Sequence, residues 1–301
     1  MRSDNYNRRR RRERRQNFGS SLFRLIVILL IPVYIVLLLR DIRNEQADND
    51  TQITEEVTPA PSSGPIDNTP PDTGTLGSYT PSGGTYASYE DLAENDIYTF
   101  LQGPVAWNSK VPFSGAWCEE VLGGQKFSVF GCGLCCIANI YSTLTPFECS
   151  PVDMFYYARD MTEYSPSANY GAIAWEYMQQ TLQLTGIHSS LMKKDPAYEE
   201  FRQNVANGIT AIALVNSGDD STYWKNVTGH YVNIWLYNSS DDTVLLADSG
   251  NPYHNRQRIP LRYVYDALKT SDAIQYLLVD SVDLAANQWQ HNGIGIEWTV
   301  P

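Results

Sequence analysis

The 301-residue sequence lacks several features that mark common classes of protein. It contains no glycine-rich phosphate loop and no internal repeat, which argues against a P-loop nucleotide site and against a solenoid. Histidine is scarce, with four residues in the whole chain, and no His-x-x-x-His pair is present. Few imidazole side chains are therefore available as general bases or as metal ligands.

Positive charge is also scarce outside the N terminus. Residues 1–24 contain nine Arg against Asp4 and Glu13, a net charge of +7, so with −12 overall the rest of the chain carries −19. A part this acidic repels nucleic acid phosphates, and we expect no nucleic-acid partner. A nucleic-acid or nuclear-type basic patch is the alternative for the Arg run, but membrane topology explains the run more simply.

An apolar segment follows the Arg run directly. Leu25–Leu39 is uncharged over fifteen residues, and the stretch reaches eighteen from Leu22 if Arg24 snorkels, which suffices for a tilted span. Large residues and an arginine follow where a signal peptide would need small ones, so we predict an uncleaved anchor. The positive-inside rule places residues 1–24 in the cytoplasm and the remainder outside the membrane.

Composition divides the chain into four parts. The tail and the single transmembrane anchor, 1–24 and 25–39, precede a disordered extracytoplasmic linker at 40–88 that is rich in Pro, Gly, Ser, Thr and acid. Residues 89–301 mix aromatic and aliphatic residues densely and are predicted to form one globular domain. We predict a single-pass protein of the cell membrane, which is compatible with a monomer or with a subunit of an envelope complex.

Helical patterns precede strand patterns within 89–301. We predict a buried helix at CGLCCIANIYSTL and further helices at 151–159 and 172–182. Short β-branched or aromatic runs follow, separated by turn residues: ITAIALVN, HYVNIWLYN, TVLLADS and IQYLLVD. This order favours an α+β domain with a mostly antiparallel sheet.

Three cysteines occur within five positions of GCGLCC. Cys132 lies between Gly131 and Gly133 at the predicted helix start, where the helix dipole and free N–H groups lower the pKa of a thiol. Cys135 and Cys136 lie one turn further in, among apolar residues, which is typical of small core side chains. Cys132 is therefore the candidate nucleophile.

Two other roles are open to the cysteines. The C-x-x-C-C spacing suits zinc, but a second ligand cluster at a comparable spacing is missing, so we expect no metal. An oxidising exterior permits a disulfide such as Cys118 to Cys149, which the sequence does not establish. No organic cofactor is implied.

A nucleophilic cysteine requires a base and a group that orients the base. His230 opens the strand HYVNIWLYN and Asp248 follows the next strand, so antiparallel pairing brings both to one end of the sheet. The other histidines lie in less suitable predicted positions: His188 in a loop, His254 in a polar turn and His291 near the C terminus. We predict a triad of Cys132, His230 and Asp248.

The order of these motifs resembles the bacteriocin-processing, or double-glycine, cysteine peptidases, family thirty-nine of the cysteine peptidases. The similar segments are QGPVAWNSKVPFSGAW, FGCGLCCIANIYSTLTPFECSPVDM and GHYVNIWLYNSSDDTVLLADSGNP, within about 100–280. The resemblance implies a papain-like fold in which Cys132 is the nucleophile, His230 the general base and Asp248 its orienting residue. It also implies that Gln102 donates to the oxyanion. Gln125, seven residues before Cys132, is the alternative donor.

The resemblance implies hydrolysis of peptide bonds through an acyl-enzyme. Peptidases of this family that process leaders are fused to an exporter and face the cytoplasm, whereas this domain is predicted to face outward without a transporter. The expected partners are a peptide or protein substrate, including cell-wall peptide, and the membrane through one N-terminal helix. Two other functions stay open: a cell-wall peptide hydrolase or amidase on the same scaffold, and a catalytically inactive peptide-binding domain.

Overall fold

The computed structural model describes residues 91–167, 171–218 and 223–301. These residues belong to the predicted globular domain, whereas the predicted tail, membrane anchor and linker lie outside the described residues. Within the three described ranges, no helix is both long and apolar enough to cross a bilayer.

These residues form both helices and antiparallel strands, which confirms the predicted α+β class. The helices are α1 Pro104–Asn108, α2 Phe127–Phe130, α3 Cys132–Leu144, α4 Pro151–Met161, α5 Trp175–Leu184, α6 Tyr198–Asn207 and α7 Leu261–Ala267. The strands are β1 Val121–Leu122, β2 Gln125–Lys126, β3 Ile187–Met192, β4 Thr210–Val215, β5 His230–Asn238, β6 Thr243–Ala247, β7 Arg258–Pro260 and β8 Tyr276–Val282. Short 3₁₀ helices cover Glu94–Asp96, Ala116–Glu119 and Leu284–Ala286.

Strands β3 to β8 form one six-stranded sheet in the order β3-β8-β4-β5-β6-β7, with antiparallel neighbours throughout. Strands β1 and β2 form a separate hairpin just before α2. Strand β5 pairs with β4 on one side and β6 on the other, and Asn233 of β5 lies opposite Ala247 of β6. The start of β5 and the end of β6 therefore lie side by side, at one end of these two central strands.

Both faces of the sheet are buried. Along β4, Ile212 and Leu214 join the core formed with α3, α4 and α5, whereas Ala211 and Ala213 join the core formed with α6 and α7. Successive strand side chains point to opposite faces, so two-sided burial requires the continuous apolar run that β4 shows. Each large aliphatic side chain buried in this way contributes about 1.5–3 kcal/mol.

The structure differs from the prediction mainly between the third predicted helix, which is α5, and strand β4. The helix predicted at 172–182 begins at Trp175 and ends at Leu184. His188 was predicted in a loop, and this was wrong, because it lies in β3. Strand β3 is at the sheet edge and exposes polar side chains, so its sequence carries no apolar run. Helix α6 was missed because only Phe201 and Val205 are buried along it.

A buried amide pair joins α3 to β5. Asn139 on α3 accepts a hydrogen bond from the Phe100 N–H through Oδ1 at 2.8 Å, and its Nδ2 donates to Asn233 Oδ1 on β5 at 3.0 Å. Neither asparagine is exposed by more than 1%. The pair fixes α3 against the strand that begins with His230, because a hydrogen bond between buried amides is strong in surroundings of low polarity.

We expect Asn139→Ala to lower the free energy of unfolding by about 2–4 kcal/mol, because it leaves the Phe100 N–H and the Asn233 Oδ1 buried without partners. Ile140→Val, also in α3, is the matched control and should lower it by about 1 kcal/mol. Urea denaturation measures both. A loss in Asn139→Ala no greater than in the control would contradict the role of the amide pair.

Candidate active site

Cys132 is the first residue of α3, and the residue is partly exposed. Two neighbouring glycines make this position sterically possible. A Cβ added at Gly131 would lie 2.3 Å from the Phe127 ring, and one added at Gly133 would lie 2.7 Å from Ile173 Cγ2. The chain can therefore enter α3 this tightly only because both residues flanking Cys132 lack side chains.

His230 begins β5, and Asp248 directly follows β6. His230 Nε2 lies 2.8 Å from Asp248 Oδ1, within hydrogen-bonding distance. The His230 side chain is 12% exposed and that of Asp248 is 2% exposed. The antiparallel pairing of β5 and β6 thus brings together an almost fully buried imidazole–carboxylate pair at one end of these two strands.

Several further donors surround the Asp248 carboxylate. Oδ1 also accepts hydrogen bonds from the backbone N–H groups of Gly250 at 3.0 Å and Asn251 at 3.2 Å. Oδ2 accepts one from Trp224 Nε1 at 3.2 Å. These donors compensate the burial of a negative charge and fix the plane of the carboxylate.

The charges at the site stabilise one another. Burial raises the pKa of Asp248, but the charge and hydrogen bond of His230 hold it well below its usual range. Burial lowers the pKa of His230, yet the charge and hydrogen bond of Asp248, with the hydrogen bond to Cys132, raise it to about 10. The imidazole is therefore positively charged at neutral pH.

Cys132 completes the series. Burial raises the pKa of its thiol, but the hydrogen bond and charge of His230 outweigh burial and lower the pKa below the ordinary value. The backbone N–H groups of Tyr231 and Gly133 act in the same direction. Because Nε2 of His230 faces Asp248, Nδ1 is the nitrogen left for the sulfur. The arrangement can hold a thiolate beside an imidazolium.

The other four cysteines lie in different surroundings. They are buried free thiols: Cys118, Cys135, Cys136 and Cys149. Burial raises the pKa of Cys118 to about 11 and raises those of the other three well above the ordinary value. The core positions predicted for Cys135 and Cys136 are confirmed, and the bridge that the sequence allowed between Cys118 and Cys149 is not formed.

Gln102 lies between α2 and the loop that follows β6. Its backbone N–H donates to the Ser249 carbonyl at 2.8 Å, and its Oε1 accepts from Ser249 Oγ at 2.9 Å. Its Nε2 donates to the Ser128 carbonyl at 3.0 Å, and the amide carries a second N–H that this bond does not use. Gln102 is thus held next to the residue that follows Asp248. Gln125, the alternative donor, lies in β2 opposite Leu122.

Two residues lie near Asp248 that the sequence did not lead us to place there, Trp224 and His254. His254 Nδ1 lies 3.4 Å from Asp248 Oδ2 but outside hydrogen-bonding geometry, and this buried nitrogen has no hydrogen-bond partner among the described residues. The ring of Tyr223 lies 4.4 Å from that of His254. His254 does lie in the predicted turn, and its position six residues after Asp248 was the available signal. No sequence signal indicated Trp224.

The two remaining histidines lie away from these contacts. His188 lies in edge strand β3, and His291 Nδ1 lies 2.9 Å from the Glu148 carbonyl oxygen. Several aromatic side chains of the domain are buried packing residues: Tyr157, Trp175, Trp224 and Trp235. Of the four histidines, His230 and His254 therefore adjoin the carboxylate.

We expect iodoacetamide to label Cys132 well below the pKa of a free thiol, about 8.5. The thiolate forms above the lowered pKa of Cys132, and the imidazolium that stabilises it persists until the pH approaches the His230 pKa of about 10. His230→Ala should move the labelling profile to or above the free-thiol value. Mass spectrometry after labelling from pH 4 to 9 measures this, and an unshifted His230→Ala profile would show that the pair does not control the thiol.

Gly250→Ala should slow labelling of Cys132 at pH 6 by about tenfold, the effect of one pKa unit. A Cβ at Gly250 would lie 3.0 Å from His230 Cε1 and 3.1 Å from Nε2, so we expect the ring to shift by a few tenths of an ångström and its contacts with Asp248 and Cys132 to weaken. Gly295→Ala is the matched control, because no heavy atom of the described chain lies within 4 Å of the added Cβ. Equal labelling rates in the two variants would contradict this steric account.

Within residues 91–167, 171–218 and 223–301, no three His, Cys, Asp or Glu residues are grouped so that they could hold a metal ion. In comparisons with known proteins, neither a family model nor a curated protein matches the chain. Function is therefore inferred from the geometry of Cys132, His230 and Asp248.

Proposed function

We propose that this protein is a cysteine peptidase of papain-like fold, similar to the double-glycine peptidases, that hydrolyses peptide bonds through a Cys132–His230–Asp248 triad. The observation that carries the proposal is the buried His230–Asp248 hydrogen bond of 2.8 Å, together with the Cys132 thiol, whose pKa the neighbouring His230 lowers. Cys132 is partly exposed and its pKa is lowered, whereas the other four cysteines are buried and their pKa values are raised. This difference is expected of a nucleophile.

The proposed reaction begins with the thiolate. Cys132 Sγ attacks the carbonyl carbon of the scissile bond, and the carbonyl electrons move to oxygen. The His230 imidazolium then protonates the leaving amine as the C–N bond breaks, which leaves a thioester and a neutral imidazole. The neutral imidazole takes a proton from water, the hydroxide attacks the thioester, and Cys132 departs as thiolate.

Two donors are proposed for the oxyanion. The backbone N–H of Cys132 belongs to the first turn of α3, where N–H groups have no partner within the helix. The second donor is the unused N–H of the Gln102 amide, since its two bonds to Ser249 and Ser128 fix the side chain on both sides. Removing one such donor costs about 3–4 kcal/mol in the transition state.

Asp248 is proposed to orient His230 and to stabilise its charge. A carboxylate on Nε2 keeps the proton on that nitrogen and turns Nδ1 toward Cys132 in both protonation states. The backbone donors from Gly250 and Asn251 keep the carboxylate ionised. Asp248 would therefore act through His230 without contacting the substrate.

The location is part of the same proposal and rests on the sequence of residues 1–88. A span at 25–39 with the Arg-rich tail inside would place the domain on the outer side of the membrane. The linker would give a reach of roughly 35–40 Å if it behaves as a flexible coil. Substrates would then be extracytoplasmic peptides or proteins, and cleavage of leaders inside the cell is not proposed.

We expect Gln102→Ala to lower kcat by about 10²- to 10³-fold, because the oxyanion loses one donor. Labelling of Cys132 by iodoacetamide should persist, since the thiol–imidazole pair is not changed. Gln125→Ala is the matched control and should leave kcat unchanged. The assay is cleavage of a peptide library that includes cell-wall peptides, read by mass spectrometry.

Cys132→Ala defines the background of this assay and should abolish cleavage. Cleavage that survives Cys132→Ala would sink the proposed mechanism. If Cys132 labels rapidly but no peptide in the library is cleaved, a peptide-binding domain becomes the better description. A loss of kcat in Gln125→Ala rather than in Gln102→Ala would reassign the oxyanion donor.

A further inference from the structure

The proposed mechanism leaves one nearby thiol unused. Cys135 lies in the first turn of α3, where its backbone N–H donates to the Gly131 carbonyl at 2.8 Å. Its side chain is fully buried, whereas that of Cys132 is partly exposed. Cys132 and Cys135 are three residues apart in α3, so their side chains are neighbours on one face of the helix.

The spacing of the two cysteines suits a disulfide. In an α-helix the Cα atoms of residues three apart are separated by roughly 5 Å, and those of residues four apart by roughly 6 Å. Both lie within the range that disulfides span, about 4.4–6.8 Å, so Cys135 and Cys136 are each within reach of Cys132. Cys132 is also the first helical residue, and Gly133 follows it, so the backbone there can adjust with little loss of helix.

The remaining cysteines are poorer partners for Cys132. Cys149 lies beside the Ser142 hydroxyl, ten residues further along α3, which corresponds to about 15 Å of helix. Cys118 lies in the 3₁₀ helix Ala116–Glu119, before the β1–β2 hairpin. Cys136 is the remaining competitor, since it lies in the same helix one residue beyond Cys135.

We propose that Cys132 and Cys135 form a redox-active dithiol, in which a peroxide oxidises Cys132 and Cys135 then closes a reversible disulfide that removes the nucleophile. The inference rests on the reactive thiolate of the proposed function, but not on peptide hydrolysis. A partly exposed thiolate next to a buried resolving thiol is an arrangement that protects a reactive cysteine from irreversible oxidation.

The chemistry balances in two steps. The Cys132 thiolate attacks one oxygen of hydrogen peroxide, the O–O bond breaks, and the departing hydroxide takes the proton of the His230 imidazolium and leaves as water. Sulfur is oxidised to sulfenic acid by two electrons and the peroxide is reduced. The Cys135 sulfur then attacks the sulfenic sulfur, an S–S bond forms, and the S–O oxygen leaves as water with the Cys135 proton.

The test treats the whole protein with hydrogen peroxide and maps its cysteines by mass spectrometry without reduction. The expected product is a Cys132–Cys135 disulfide, lighter than the dithiol by two hydrogen atoms, with loss of iodoacetamide labelling at Cys132. Dithiothreitol should restore the labelling completely. Sulfinic or sulfonic acid on Cys132 of the unsubstituted protein, or a disulfide to a different cysteine, would overturn the proposal without any variant.

Two substitutions sharpen the result. Cys135→Ser should convert Cys132 to sulfinic or sulfonic acid, so that dithiothreitol no longer restores labelling. Cys136→Ser is the matched control, equally buried and one residue away, and should behave as the unsubstituted protein. Full recovery in Cys135→Ser, or loss of recovery in Cys136→Ser, would contradict the assignment of the resolving thiol.

The same samples separate this inference from the proposed function. If Cys132 labels rapidly before oxidation but no disulfide forms, the dithiol inference fails and the nucleophile stands. If Cys132 reacts with neither iodoacetamide nor peroxide, the reactive thiolate itself is wrong and both proposals fail. If the disulfide forms while no peptide is cleaved, the dithiol stands and the peptidase assignment fails.

Discussion

The buried charge of Asp248 is the constraint on which the rest of the site depends. A carboxylate with almost no exposure is unfavourable unless donors and an opposite charge compensate it. The loop after β6 supplies backbone N–H groups, Trp224 supplies an indole N–H, and the start of β5 supplies an imidazole. Separate segments of the chain therefore meet at one carboxylate, at the end of β5 and β6 where the thiol also lies.

Charge alternates outward from this carboxylate. Asp248 is negative and His230 is positive, and a negative charge forms on Cys132 when its thiol loses its proton, so each group then lies beside one of opposite sign. Loss of the middle charge would leave two like charges in a poorly solvated site, and loss of either end would leave one buried charge less compensated. The reactivity of the thiol is thus a property of the series and not of the cysteine alone.

The parts of this arrangement that follow local rules could be predicted from the sequence. The GCG segment indicated a helix start. Two apolar runs joined by a short turn indicated a pair of antiparallel strands, with His230 and Asp248 at the same end of the pair. Contacts between distant segments could not be predicted in this way. Gln102 Nε2 bonds to Ser128 across 26 positions, and its Oε1 bonds to Ser249 across 147. No periodicity encodes such pairs, and the polar edge strand β3 escaped prediction for the same lack of pattern.

The distance between sulfur and imidazole is set by the elements that carry them. Asn139 lies two turns beyond Cys132 on α3, and Asn233 lies three residues beyond His230 on β5. Their buried hydrogen bond therefore joins the same helix and strand that carry the thiol and the base. A slip of α3 by one residue would rotate the helix by about 100° and would break this bond while turning Cys132 away from His230. The one buried hydrogen bond between Asn139 and Asn233 therefore fixes how α3 packs on β5, and with it the position of Cys132 relative to His230.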